Sequence, residues 1–340
     1  MTTTASARHR ALLPLGLFLA WLGLAAPARA DMEATSMAQT PAIMAFLAAY
    51  IAEDAGIWRD NGLDVKVINL PGVATVNAVI AGSADFALSG SDALTRAAAH
   101  GQRLLALAAL NNQAGQLTVL RRDLAEAAHF DPSAPLAERV RVLKGTTIAA
   151  GGVGSVADVF LKVIAHEAGI PEGGITISSI GAFELLAAFS RRAVDGISFS
   201  LPYPQQLAAD GSAVIVADGT NGEPKDLMPL AAGLLVTRPQ LCADHRSVCE
   251  KMTHSLVLAT KFLLERKAES VAILAKRFPQ VSDAVLHSAY DAVARMTNSP
   301  PAITPLGLQN GDKMNAEAGF LKPEDKVASY DGLYTNEFVR

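Results

Sequence analysis

The chain lacks the usual signatures of an enzyme. It has no Gly-x-Ser-x-Gly elbow to expose a nucleophilic serine and no His-Glu-x-x-His pair to hold zinc. Lys144-Gly145-Thr146 is not preceded by the Gly-x4 spacing of a phosphate-binding loop. The histidines after position 30 (His100, His129, His166, His245, His254 and His287) are scattered at spacings that do not suit metal ligation. No catalytic residue, metal or cofactor is therefore expected. Excess positive charge is missing too: 29 Lys and Arg face 33 Asp and Glu. A mildly acidic chain is a poor partner for nucleic acid or anionic lipid. Beyond the first thirty residues no apolar run approaches the ~20 residues that a membrane-spanning helix needs.

Cysteine is nearly absent. Cys242 and Cys249 are the only two, in Cys-Ala-Asp-His-Arg-Ser-Val-Cys, and neither sits in a nucleophile context. If this segment bends at a helix start, a disulfide can pin it. If both residues lie on one straight helix, they are about 10 Å apart along the axis and cannot bond.

What is present begins with export. Arg8 and Arg10 precede an apolar run from Ala11 to Ala26, broken by Pro14, and then Ala28-Arg29-Ala30. A basic start, a short apolar stretch and Ala-x-Ala predict a signal peptide over residues 1–30, cleaved after Ala30. No cysteine near the site points to a lipid anchor, and no Arg-Arg pair points to twin-arginine export. Cleavage removes three arginines and no acid, so the formal charge moves from −4 to −7. The remainder is long enough for two lobes of ordinary domain size.

The mature chain repeats itself weakly. Ala52-Glu53-Asp54-Ala55-Gly56-Ile57 and Ala165-His166-Glu167-Ala168-Gly169-Ile170 both read as helix ends stopped by glycine. Strand-like stretches follow, Leu63–Ile68 and Gly174–Ile177, then helices over Thr75–Ala81 and Ala182–Ser190. Each copy then reaches an aspartate and an apolar strand, Asp85 to Leu88 and Asp195 to Ser198. Strands alternating with helices imply a mainly parallel sheet in each copy. Ligands of such sheets bind beyond the carboxyl ends of the strands, here in a cleft between two lobes. Leu104–Leu110 and Leu117–Leu120 read as strands finishing lobe one. Lys144–Ala149 opens lobe two, and Leu230–Val236 carries the chain back. Helices are expected over Val248–Leu264, Ala268–Arg277 and Asp283–Met296, followed by a Pro-rich connector over Thr297–Pro305. A loosely packed tail is expected over Asp325–Arg340.

Four loops have the chemistry of a small-molecule site: Met37–Pro41, Leu70–Thr75, Ser89–Asp92 and Gly151–Ser155. Bare glycines admit a ligand to the backbone, and helix N-termini offer N–H groups that favour an anion. Gly152-Val153-Gly154-Ser155-Val156-Ala157 also fits a dinucleotide fingerprint. The next strand ends at Ser178-Ser179 with no acid for a ribose, and an exported protein meets no NAD pool. The pairs Arg121-Arg122 and Arg191-Arg192 read as solvated faces. A pair facing the cleft would favour an anion.

Phe46 to Trp58, Asn61-Gly62-Leu63-Asp64-Val65 and Ala81-Gly82-Ser83-Ala84-Asp85-Phe86 together resemble the substrate-binding proteins of nitrate/sulfonate/taurine-type ABC importers, a group that includes binders of pyrimidine precursors. The resemblance covers roughly residues 35 to 275. It implies an α/β, type II-like periplasmic-binding-protein fold of two lobes closing on a ligand by a hinge. Lobe one would comprise 31–120 and 233–340, with the C-terminal helices, and lobe two 121–232. It also implies a monomer in the periplasm that delivers a small solute to an inner-membrane permease driven by a cytoplasmic ATPase. On the family pattern, ligand contacts fall on Gln39, Thr40, Gly72, Ser89, Gly90, Ser91, Asn111, Asn112, Gly154, Ser155, Ser200 and Tyr203. The loop Ser200-Leu201-Pro202-Tyr203 departs from the family's acidic-aromatic turn and leaves the ligand class open. A carboxylate, a sulfonate, or a partly aromatic acid resting on Tyr203 or Phe46 fits the loops best. The alternatives are an enzyme on the same scaffold, a pyrimidine-precursor synthase or a dehydratase, and a sensory module that presents its ligand to a membrane receptor.

Overall fold

The structure is a computed structural model that describes residues 1–4 and 32–339. The expected signal peptide lies outside the described residues except for residues 1–4, and the expected cleavage site lies wholly outside them. Within Met32–Arg340 the chain builds two five-stranded sheets. The strands are β1 (Glu33–Gln39), β2 (Leu63–Asn69), β3 (Phe86–Ser89), β4 (Leu105–Asn111), β5 (Gln116–Arg121), β6 (Thr147–Ala150), β7 (Thr176–Ser179), β8 (Gly196–Ser200), β9 (Ala213–Asp218) and β10 (Ala232–Thr237). The helices of the first lobe are α1 (Leu47–Asp54), α2 (Ile57–Asp60), α3 (Ala74–Ile80) and α4 (Ser91–Ala99). The second lobe carries α5 (Arg122–Ala127), α6 (Leu136–Val140), α7 (Val156–Glu167), α8 (Leu185–Ser190) and α9 (Tyr203–Ala209). The chain then runs through α10 (Pro239–Asp244), α11 (Arg246–Glu265), α12 (Lys267–Arg277), α13 (Asp283–Met296) and α14 (Pro305–Glu317).

The sheets have the orders β2-β1-β3-β10-β4 and β7-β6-β8-β5-β9. These are the same topology twice. In each, one strand runs against the other four: β10 is antiparallel to β3 and β4, and β5 is antiparallel to β8 and β9. The expected mainly parallel sheets are therefore found. Leu117–Leu120, read as finishing lobe one, instead pairs inside the second sheet as β5. Sequence order does not encode which sheet a strand joins. Here the odd strand of each sheet follows the last strand of the other, so the chain crosses twice, at residues 112–115 and 219–231.

The repeat has a physical basis. Gly56 and Gly169 both adopt positive φ, +77° and +70°, as a helix stop in the left-handed region requires. Asp85 Oδ2 accepts from the backbone N–H of Ser36 at 2.9 Å, and Asp195 Oδ2 accepts from that of Thr147 at 2.9 Å. Each aspartate thus ties the entry of one strand to its neighbour. Each also lies 3.8 Å from an arginine at the end of the antiparallel strand, Arg238 for Asp85 and Arg121 for Asp195. Arg122 donates to the Gly211 carbonyl, and Arg192 lies 3.5 Å from Asp123. None of Arg121, Arg122, Arg191 and Arg192 lines the cleft described below.

Helix α11 buries Met252, Leu256, Ala259 and Leu263, three to four residues apart, against α1 and the first sheet. The Met and Leu side chains each contribute about 1.5–3 kcal/mol when fully buried. Helix α7 does the same for the second sheet with Phe160, Val163 and Ile164. The cysteines resolve in favour of a bend. The chain breaks at His245, and Cys242 in α10 is bonded to Cys249 in α11 with their Cα atoms 5.6 Å apart. Closing so short a loop is worth about 2 kcal/mol in the chain-entropy account. A Cys242→Ser/Cys249→Ser variant is expected to lose about that much in urea unfolding, and a reductant should then have no further effect.

The C-terminal part holds one helix that was not anticipated and one correction. Residues after the Pro-rich connector form α14, which packs on α4 of one lobe and α7 of the other. The tail is not loose. Ala106 N–H donates to the Leu333 carbonyl at 2.8 Å and Thr335 N–H to the Ala106 carbonyl at 2.9 Å, which docks the tail on the edge strand β4. Leu333 and Phe338 are buried. The tail's few apolar residues find a sheet edge that the sequence alone did not reveal. Among the described residues, no helix is long and apolar enough to cross a membrane.

Candidate functional site

The carboxyl ends of the parallel strands of both sheets face one cavity of about 270 Å³. That is close to the lower end of the ~300–1,000 Å³ range of small-molecule sites. Its walls come from the loops after β1, β2 and β3 in one lobe and after β6, β7 and β8 in the other, with the β4–β5 crossing as its floor. The lobes touch across it. Val73 packs near Gly154, and a β-carbon on Gly72 would lie 3.3 Å from Ser155 Cβ. Arg96 of α4 donates to the Gly154 carbonyl at 2.8 Å and to Asn315 of α14 at 3.0 Å. Its guanidinium also stacks 5.0 Å from the Phe320 ring centre, and Lys162 of α7 lies 4.3 Å from the same centre. Residues of both lobes thus meet on the C-terminal segment.

Of the twelve residues expected to hold a ligand, eight line this cavity: Thr40, Gly72, Ser89, Gly90, Asn111, Gly154, Ser155 and Ser200. Four do not. Ser91 opens α4 and is fully buried, pressed on Gly311 of α14. One position on, a turn of about 100°, brings Asp92 to the cavity instead. Tyr203 faces the second core, edge-on to Phe199 at 6.0 Å. Burial pushes its hydroxyl up to about 12. Gln39 is buried at the end of β1 outside the lining, and its Oε1 has no partner in the protein. Asn112 belongs to the crossing: its N–H donates to Met296 and its carbonyl accepts from Leu230, both at 2.9 Å. Phe46 does line the cavity, as expected of an aromatic platform.

Several wall residues were missed. Ile180, Phe183 and Glu184 lie between β7 and α8, at the counterpart of the Leu70–Thr75 loop in the repeat. Extending the repeat by one loop would have found them. Phe183 is 71% exposed, an aromatic left open at the mouth. Gln113 and Gln116 rise from the crossing, and their Oε1 atoms have no partner in the protein.

The two longer helices that start at the cavity, α4 and α7, do not offer free N-termini. Asp92 sits in the first turn of α4, beside the positive end of its dipole. Burial pushes its carboxyl above the ordinary carboxylate range, and Arg96 only partly opposes this. In α7, Ser155 Oγ accepts from Asp158 N–H at 3.3 Å, while Asp158 Oδ2 accepts from Gly154 N–H at 2.8 Å. Each helix dipole thus carries a carboxylate of its own. The glycine-rich loop therefore does not present its helix to a pyrophosphate. Among the described residues, no group of three or more His, Cys, Asp and Glu is placed to hold a metal ion.

Comparison with known proteins agrees with this architecture. A protein from Bordetella bronchiseptica RB50 superposes with a TM-score of 0.77 at 19% identity, over 91% of this chain and 96% of that one. The alkanesulfonate-binding protein SsuA from Xanthomonas axonopodis pv. citri, bound to MOPS, gives 0.70 at 18% identity over 90% and 99%. The periplasmic nitrate-binding protein NrtA from Synechocystis PCC 6803 gives 0.68 at 15% identity over 91% and 87%. At these identities the likeness is one of fold, the two-lobed α/β fold of periplasmic binding proteins. No curated protein matches the sequence. The family model of the NMT1-like family matches residues 19–278, more than three quarters of the sequence, and the chain belongs to that family.

Proposed function

We propose that this chain is the periplasmic solute-binding component of an ABC importer, capturing a small solute by hinge closure and handing it to a membrane permease served by a separate ATPase. The observation that carries this reading is the cavity itself, ≈ 270 Å³ between the facing strand ends of two equivalent sheets. Among the described residues two crossings, 112–115 and 219–231, are the strand-to-strand links between the sheets, which suits rotation of one lobe against the other. Among the described residues the walls offer hydrogen bonds and apolar contacts but no Cys, His or Lys. That favours reversible capture over a covalent step on the same scaffold. The ligand-contact set proposed is the eight residues that reach the cavity, together with Phe46, Asp92, Gln116 and Phe183.

The test is native mass spectrometry of the protein recovered from the periplasm, followed by thermal shift with a broad panel of solutes. A chain beginning at Asp31 that carries one bound small molecule, or is stabilised by one, is the expected result. A cytoplasmic, uncleaved chain that no solute stabilises contradicts it.

A further inference from the structure

The cavity's charge points away from the anion that the loop composition suggests. Among the described residues its wall contains two acidic side chains, Asp92 and Glu184, and no Lys, Arg or His. The nearest cation, Arg96, is committed to the Gly154 carbonyl and Asn315. The α4 and α7 N-termini, which would otherwise draw an anion, each carry an acidic side chain in the first turn, Asp92 and Asp158. Asp92 is 3% exposed, and its Oδ2 has no hydrogen-bond partner. Ser200 Oγ, 1% exposed and also without a partner among the described residues, lines the cavity from the other lobe. A buried acceptor left unmatched is costly, and a ligand donor that reaches it recovers that cost. An incoming anion would instead meet a buried carboxyl group whose neighbouring cation, Arg96, is already committed elsewhere.

Resting on the solute-binding reading above, we infer that the solute carries a protonated amine or amidine that donates to Asp92, on a small apolar body held between Phe46 and Phe183. The apolar part of the wall fits that body. Phe46, Leu88, Val156 and Phe199 line the cavity with Asp92, and Phe183 lies open to solvent. Glu184 beside it adds long-range attraction for a cation entering the cleft. Burial has raised the Asp92 carboxyl, so a cation that docks there also drives its ionisation.

The probes are isosteric compounds of opposite charge: benzylamine and benzamidine against benzoate and benzenesulfonate, each at millimolar concentration, followed by thermal shift and calorimetry. The cations are expected to stabilise the protein and the anions not to. In Asp92→Asn, which keeps the shape of the side chain, the cations should bind roughly ten- to a hundred-fold more weakly. Glu184→Gln, at an exposed position, should slow association and reduce its salt dependence while the protein folds normally. Preferential binding of an anion, or cation affinity unchanged in Asp92→Asn, overturns the inference and leaves the solute-binding reading intact. If no cation stabilises the protein, the inference fails. If a broader panel of sugars, anions and heterocycles is silent as well, the solute-binding reading fails with it.

Discussion

Replacing Gly311 by alanine is expected to destabilise the protein by about 3 kcal/mol, at the top of the usual overpacking range. Helix α14 lies so close to the start of α4 that a β-carbon at Gly311 would overlap Ser91 Oγ. It would also lie 2.6 Å from Ser91 Cβ and 2.8 Å from the Ser91 backbone carbonyl carbon. Two of these atoms cannot swing aside with a rotamer. Ser91 cannot retreat either, because its N–H donates to the Ala231 carbonyl at 3.0 Å on the other side. Alanine's better helix propensity returns only about 1 kcal/mol. The strain falls on the Ser89–Asp92 loop that borders the cavity, so ligand affinity should fall with stability. Urea unfolding of Gly311→Ala and of the double variant Gly311→Ala/Ser91→Gly checks the account. The double variant removes Oγ and Cβ and should regain part of the loss. An unaltered midpoint in Gly311→Ala would show that α14 does not pack as closely as the structure has it.

The same contact shows why the C-terminal part of the fold was hard to see in the sequence. Pro305–Glu317 contains Gly307, Asn310, Gly311, Asp312 and Asn315, which all lower helix propensity. These residues are there for tertiary reasons. The glycines allow close approach to Ala231 and Ser91, and Asn315 donates to the Asp92 carbonyl and Thr95 Oγ1 at 2.7 and 3.1 Å. By contrast, Leu63–Asn69 alternates, and α11 and α13 show helical spacing, so local pattern and final structure agree there. The repeat was visible at Gly56, Gly169, Asp85 and Asp195 because each performs a backbone task that tolerates few substitutes. The exchange of β5 and β10 between sheets was not visible, since an apolar strand carries no address. The candidate site follows the same division. Loops at strand ends announced themselves through Gly, Ser and Thr. Asp92 stood at the end of one of those loops, but its buried, unpartnered oxygen shows only in three dimensions.

Asp158→Ala is expected to cost about 2–4 kcal/mol and to loosen the contact between the lobes. The side chain is 1% exposed, accepts from Gly154 N–H at 2.8 Å and lies 3.1 Å from Lys162 Nζ. Removing it strands a buried N–H, worth about 1–3 kcal/mol, and takes a carboxylate from the first turn of α7, worth about 0.3–1 kcal/mol more. The loss does not stay local. Gly154 is held at both ends of its residue, N–H by Asp158 and carbonyl by Arg96 of the opposite lobe. Lys162, freed from Asp158, still lies over Phe320, so that part of the contact should persist. Asp158→Asn keeps an acceptor for Gly154 N–H and should lose clearly less than alanine. Denaturant unfolding gives the ranking, and small-angle scattering of the two variants reports the lobes. A more open average shape in Asp158→Ala than in Asp158→Asn is the expected outcome. Equal stability of the two would mean that the Gly154 hydrogen bond contributes nothing and that the loop is held from the Arg96 side alone.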